Sequence, residues 1–205
     1  DGKNVYATNL SSNTVRILTR NTATGALSGT TTIATGTSPQ GICISADGAS
    51  VYTANNGSAN VSIFTRNTTT GALSGTATIA AGTALQGVCI SADGASVYAA
   101  NATSNTVSIF TRNTSTGALS GTTTIATGTS PYGICISADG TSVYTANASS
   151  NNISIFTRNT TTGALSGTTT IAAGTSPIFL CISADGKNVY AVNNTTNTVS
   201  IFTRS

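Results

Sequence analysis

A 46-residue period governs this chain. Ser45-Ala46-Asp47-Gly48-Ala49-Ser50-Val51-Tyr52 recurs at 91–98, 137–144 and 183–190, and its tail opens the chain at 1–6. Asp1, Asp47, Asp93, Asp139 and Asp185 therefore sit 46 residues apart at every step. A fixed period of this length marks a repeat architecture, so the fold question becomes what one unit does. The expectation is a single repeat array over residues 1–205, with units beginning near those five aspartates.

The unit from 38 to 83 reads as four short strands joined by turns. Pro39 and Gly41 punctuate, and 42–45 is a short apolar strand. Ala46-Asp47-Gly48 is a tight turn, because Asp can bond back to the backbone and Gly takes positive φ. Residues 50–54, 61–65 and 72–80 give a second, a third and a Thr-rich fourth strand. Strands at such even spacing, separated by turn residues, form an antiparallel meander. Its sheet is apolar on both faces. Val51 and Thr53 point one way and Tyr52 and Ala54 the other, and Ile63 opposes Phe64. Burial on both sides requires a neighbour on each side, which radial stacking supplies. The predicted fold is all-β, a β-propeller of four-stranded antiparallel blades with about four and a half repeats present. The apolar first strand lies innermost and the Thr-rich fourth lies at the outer edge.

The repeated Val-Tyr-x-x-Asn segments (5–9, 51–55, 97–101, 143–147, 189–193) resemble the YVTN repeat. So do Ser-Pro-x-Gly-Ile-Cys-Ile-Ser-Ala-Asp-Gly and the Thr-Gly-Ala-Leu-Ser segment before the outer strand. The resemblance covers the whole chain and implies YVTN-type or lactonase-like propeller blades. That group includes surface-layer and secreted proteins and phosphogluconolactonase-type enzymes. The lactonase side of the resemblance implies acidic, His and Arg residues in a central pocket. This chain has no His or Glu to place there.

Residue inventory then argues against catalysis. The only carboxylates are the five turn aspartates, one per unit. General acid–base work needs a titratable group beside a partner, and turns on successive blades should not converge. The expectation is a protein that is not an enzyme, without cofactor or metal. Isolated Asp and Asn oxygens on separate turns make a poor cation site.

Charged residues are only 6% of the chain and the net charge is +3. No run of apolar residues is long enough to span a membrane as a helix. One Arg per unit (Arg20, Arg66, Arg112, Arg158, Arg204) could face phosphate or acidic glycan, but local pairing or solvation is the plainer reading, and nucleic acid is not an expected partner. One Cys per unit (Cys43, Cys89, Cys135, Cys181), inside an apolar strand, reads as a small buried hydrophobe rather than a disulfide or zinc ligand.

Binding, if present, should use the positions where near-identical units differ. Pro39-Gln40-Gly41 becomes Leu85-Gln86-Gly87, Pro131-Tyr132-Gly133 and Pro177-Ile178-Phe179. This segment is expected as a loop near the axis, so Gln40, Gln86, Tyr132, Ile178 and Phe179 are the candidate ligand-binding residues, for a glycan or peptide. Asn67, Asn113 and Asn159 begin Asn-x-Ser/Thr triplets on one turn of successive units and are candidate glycosylation sites in an exported protein.

The strand count is eighteen, with no inner strand in the first unit and no outer strand in the last. Part of a longer array, or terminal blades completed by neighbouring chains, would account for this. Recent duplication and consensus engineering both produce such similar units. The functional expectation is a non-catalytic structural or surface protein, extracellular or at the cell surface, that self-associates or meets neighbouring repeats. A lectin- or adhesin-like binding module is the alternative.

Overall fold

A computed structural model describes residues 2–204; Asp1, the start of the first unit, lies outside them. Five antiparallel sheets follow one another along the chain. Blade 1 is β1 (Asn4–Asn9), β2 (Thr14–Arg20) and β3 (Leu27–Ala34). Blade 2 is β4 (Pro39–Ile44), β5 (Ser50–Asn55), β6 (Asn60–Arg66) and β7 (Leu73–Ala80). Blade 3 is β8 (Leu85–Ile90), β9 (Ser96–Asn101), β10 (Thr106–Arg112) and β11 (Leu119–Ala126). Blade 4 is β12 (Pro131–Ile136), β13 (Ser142–Asn147), β14 (Asn152–Arg158) and β15 (Leu165–Ala172). Blade 5 is β16 (Pro177–Ile182), β17 (Asn188–Asn193) and β18 (Thr198–Thr203). Each blade is a meander in chain order, as the turn spacing predicts.

The inner strand begins three residues earlier than the sequence suggests. Pro39 already pairs with Asn55, and a bulge before Ile42 absorbs the irregularity. Gln40 and Gly41 therefore lie in the strand, not in a loop. A second bulge recurs between the third and fourth strands, where Ile63 faces Ala77 but Thr65 faces Ser74. Gly75, at φ 67°, supplies the left-handed residue that such a bulge favours.

The core lies between blades, as two-faced burial requires. Tyr52, Ala54 and Val61 on one face of blade 2 pack against Leu85, Val88, Val97, Ala99 and Phe110 of blade 3. The opposite face of blade 2 buries Val51, Phe64 and Leu73 against Val15 of blade 1. Inner strands approach so closely that side chains are excluded. A Cβ on Gly41 would lie 2.6 Å from the Gln86 carbonyl oxygen, and one on Gly87 would lie 2.7 Å from that of Tyr132.

Arg66, Arg112, Arg158 and Arg204 reach across to the preceding blade, whereas Arg20 bonds to the Gly2 carbonyl of its own unit. Arg112 of blade 3 donates from Nε to the Tyr52 hydroxyl of blade 2 at 2.7 Å. Its Nη2 reaches Asp47 Oδ2 at 2.9 Å and Ser50 Oγ at 3.0 Å. Arg158 repeats this on Tyr98 and Asp93, and Arg204 pairs with Asp139 at 2.6 Å. Both Arg112 and Arg158 have side chains 1% exposed. Each planar fork thus fastens two blades, a role that a lone turn Asp and a strand-end Arg do not advertise in sequence. The Asp carboxylate also accepts from its own turn. The Ser45 hydroxyl, then the Ala49 amide and Arg112, hold Asp47 down at about 2.

Candidate functional site

The inner strands all enter at the same end of the blades, and their first residues line an open pocket of about 460 Å³ on the axis. Gln40, Gln86, Tyr132, Ile178 and Phe179 all line it, so all five sequence candidates converge. They do so because they are successive equivalents on β4, β8, β12 and β16, brought side by side by the glycine contacts at Gly41, Gly87 and Gly133. The blade 1 hydroxyl of Thr8 donates to the Gln40 carbonyl at 2.7 Å and ties the first of these strands to its neighbour.

The pocket is neutral. Two primary amides and one phenol are its polar side chains, beside Ile42, Val88, Ile134 and Leu180. Phe179 stands where the other units have Gly, is 66% exposed, and presents an aromatic surface at the rim. Among the described residues no carboxylate or guanidinium lines this mouth. Asp47, Asp93 and Asp139 are committed to the clamps and Asp185 to the Ser183 hydroxyl. Asp185 is held below the usual carboxylate range by that bond and by the Lys187 amide.

Three of the four thiols are held protonated by their surroundings. Burial pushes Cys43 and Cys135 up to about 12, and Cys89 rises for the same reason. Cys43, Cys89 and Cys135 are half-buried, whereas Cys181 is exposed and departs from the expected burial. No group of three or more Cys, Asp, Glu or His assembles for a metal among the described residues. The candidate glycosylation residues Asn67, Asn113 and Asn159 are exposed on turns remote in sequence from the mouth. Each Oδ1 accepts two backbone amides of its own turn, as Asn67 does from Thr69 and Thr70 at 2.9 Å.

The sequence matches the family described as lactonase, seven-bladed β-propeller, over residues 1–86 and 77–179. The chain belongs to the lactonase propeller family. Solved structures carry the same fold. A candidate 6-phosphogluconolactonase from Bacteroides uniformis superposes with a TM-score of 0.88 at 20% identity, covering 100% of this chain and 65% of that one. A second such protein, from Bacteroides fragilis, gives 0.87 at 23% identity, covering 100% of this chain and 64% of that one. A periplasmic gluconolactonase of Pseudomonas aeruginosa gives 0.84 at 19%, again covering 100% and 64%. This lactonase-family chain thus spans about 65% of the length of these relatives. No curated protein matches its sequence.

Family membership corrects two sequence expectations. The non-catalytic structural or surface role, with its lectin-like alternative, and the expectation that the protein is not an enzyme are both overturned by the match to lactonases. The inventory argument failed for a physical reason. It weighed groups that transfer protons or bind metals and did not weigh neutral amide donors, which can also stabilise developing charge.

Proposed function

We propose that the axial mouth binds a neutral sugar lactone and promotes its hydrolysis. The observation that carries this is the convergence of Gln40, Gln86 and Tyr132 on one open pocket in a lactonase-family propeller. Primary amides present two donors and an acceptor each, which suits both ring hydroxyls and an ester carbonyl. Tyr132 and the Ile178–Phe179 rim offer apolar faces to the ring. Amide donors aimed at the carbonyl oxygen favour the tetrahedral intermediate, in which that oxygen becomes an anion. Water adds to the carbonyl carbon, and the ring oxygen leaves with a proton as the sugar acid forms.

A second feature bears on substrate. The B. uniformis and B. fragilis relatives are described as acting on a phosphorylated lactone and the P. aeruginosa one on gluconolactone. This mouth has no Lys or Arg in its lining to receive phosphate. The reading therefore favours the unphosphorylated lactone. The test is hydrolysis of glucono-1,5-lactone and its 6-phosphate, followed by acid release above the spontaneous rate. The proposal expects saturable acceleration with the neutral lactone, and a loss of about 10²-fold in kcat for Gln86→Ala. The absence of any saturable acceleration with either compound defeats it.

A further inference from the structure

A second pocket, of about 360 Å³, lies between the turns of blades 4 and 5. Tyr132 and Ile178 line both this pocket and the axial mouth, so the two cavities meet across those side chains. Each has the volume of a separate small-ligand site, a class that begins at about 300 Å³.

Apart from Ala148, the remaining walls are polar and uncharged: Ser130 and Ser149 on blade 4, Ser176 and Asn194 on blade 5. The backbone behind them is tied down. The Ser130 and Ser176 amides donate to Asn105 Oδ1 at 2.8 Å and Asn151 Oδ1 at 2.9 Å. The Ala148 and Asn194 amides donate to the Ser130 and Ser176 carbonyls, each at 2.9 Å. The side chains are not equally committed. The Ser149 hydroxyl donates to that of Ser130 at 3.0 Å. Among the described residues, the Ser176 hydroxyl, the Asn194 side-chain amide and the Tyr132 phenol have no hydrogen-bond partner. The repeats make this junction distinctive. Between blades 3 and 4, Ala84 and Ala148 stand at the positions of Ser130 and Asn194. Between blades 2 and 3, Ala84 and Ala102 stand at those of Ser176 and Asn194. Of these three junctions, the one between blades 4 and 5 has both turn serines and the amide.

We propose that this pocket is a second sugar subsite, so that the substrate class is an aldonolactone carrying a neutral glycosyl group; this rests on the lactone reading of the axial mouth. Sugar hydroxyls donate and accept, and so do serine hydroxyls and a primary amide. Polar groups fixed before the ligand arrives lose little freedom on binding. The lining holds no Lys, Arg, Asp or Glu, which suits an uncharged ring over a phosphorylated or acidic one. Tyr132 belongs to both cavities and marks the place of the linkage. The lactone ring lies on its glutamine side and the glycosyl ring on its serine side.

The test compares glucono-1,5-lactone with cellobiono-, maltobiono- and melibiono-1,5-lactone, using the full chain and the double variant Ser176→Ala/Asn194→Ala. Alanine already occupies both equivalent positions, as Ala84 at φ 57° against 56° for Ser176, and as Ala148, so the local backbone accepts the change. At least one disaccharide lactone should exceed the monosaccharide lactone by about tenfold or more in kcat/KM, with the gain in KM. In the double variant that ratio should fall to about one. Calorimetry with gluconolactam and the lactams of the three disaccharides should show the same preference without turnover. Equal handling of all four lactones, or a preference that survives the double variant, overturns the inference and leaves the lactone reading standing. Tighter binding of a disaccharide lactam by a chain that hydrolyses no lactone keeps the subsite and defeats the hydrolytic reading. Neither binding nor turnover with any compound defeats both.

Discussion

Replacing Ala59 by Asn should stabilise the protein, and the size of the gain can be worked from its own repeats. The equivalent positions Asn13, Asn105, Asn151 and Asn197 all have φ between 53° and 55°. Ala59 holds φ 51°, in the same left-handed region. An alanine there suffers the Cβ–carbonyl clash of about 1–2 kcal/mol, part of which Asn relieves through its local hydrogen bonding. The asparagines also do something that alanine cannot. Asn13 Oδ1 accepts the Ser38 amide at 2.8 Å, Asn105 the Ser130 amide at 2.8 Å, and Asn151 the Ser176 amide at 2.9 Å. The matching donor in blade 3 is the amide of Ala84, itself at φ 57°. One added hydrogen bond is worth about 1 kcal/mol, so with partial relief of backbone strain the gain should be about 1–2 kcal/mol. For a chain of this length each kcal/mol moves Tm by roughly 2–4 °C. Thermal melting of Ala59→Asn should therefore rise by about 2–8 °C, and Asn105→Ala should fall by a similar amount. An unchanged Ala59→Asn beside a destabilised Asn105→Ala would refute the argument, because the two sites would then not be equivalent.

Three further outcomes follow from the packing. Thr35 and Thr53 satisfy Asn55 Oδ1 at 3.0 and 3.2 Å, whereas blade 3 has Ala81 and Ala99 there and leaves the buried Asn101 Oδ1 without a partner. Ala99→Thr should raise the urea midpoint at unchanged slope, by about 1 kcal/mol. Arg112→Ala should cost about 3 kcal/mol in the same assay, and Arg204→Ala well under half of that, because Arg204 is 19% exposed and Arg112 only 1%. The Asp turn sets a pH dependence, chiefly through the Ser45 hydroxyl and the Ala49 amide, with Arg112 adding to them. Asp47 sits at about 2 when folded against an ordinary 3.8, so its contribution is complete above pH 3.8 and is lost as pH falls towards 2. Acid titration followed by circular dichroism should show stability falling in that window, and a chain equally stable at pH 5 and pH 2 would contradict it.

Much of this fold was legible because local signals and period agreed. Asp47-Gly48 turns, alternating Val51–Ala54 and the opposed Ile63 and Phe64 all appear where the sequence puts them. The five pocket residues were legible as departures from the repeat, although their segment was read as a loop. A strand that begins at Pro39 with a bulge hides its pairing from any alternation test. The clamps were not legible, since Arg112 and Asp47 are 65 residues apart and meet only when one blade is laid on the next. The expectation of a non-catalytic protein rested on an inventory of proton-transferring groups, and it was the family match rather than any single residue that overturned it.

The sequence contains two glutamines, Gln40 and Gln86, and both line the axial mouth. A chain labelled with nitrogen-15 at glutamine alone therefore reports on the proposed site through two side-chain amide groups. We would titrate it with gluconolactam, a hydrolysis-resistant analogue of the neutral lactone. The account predicts that both side-chain amides shift together along one saturable curve. Side-chain resonances that stay in place at saturating ligand would contradict it.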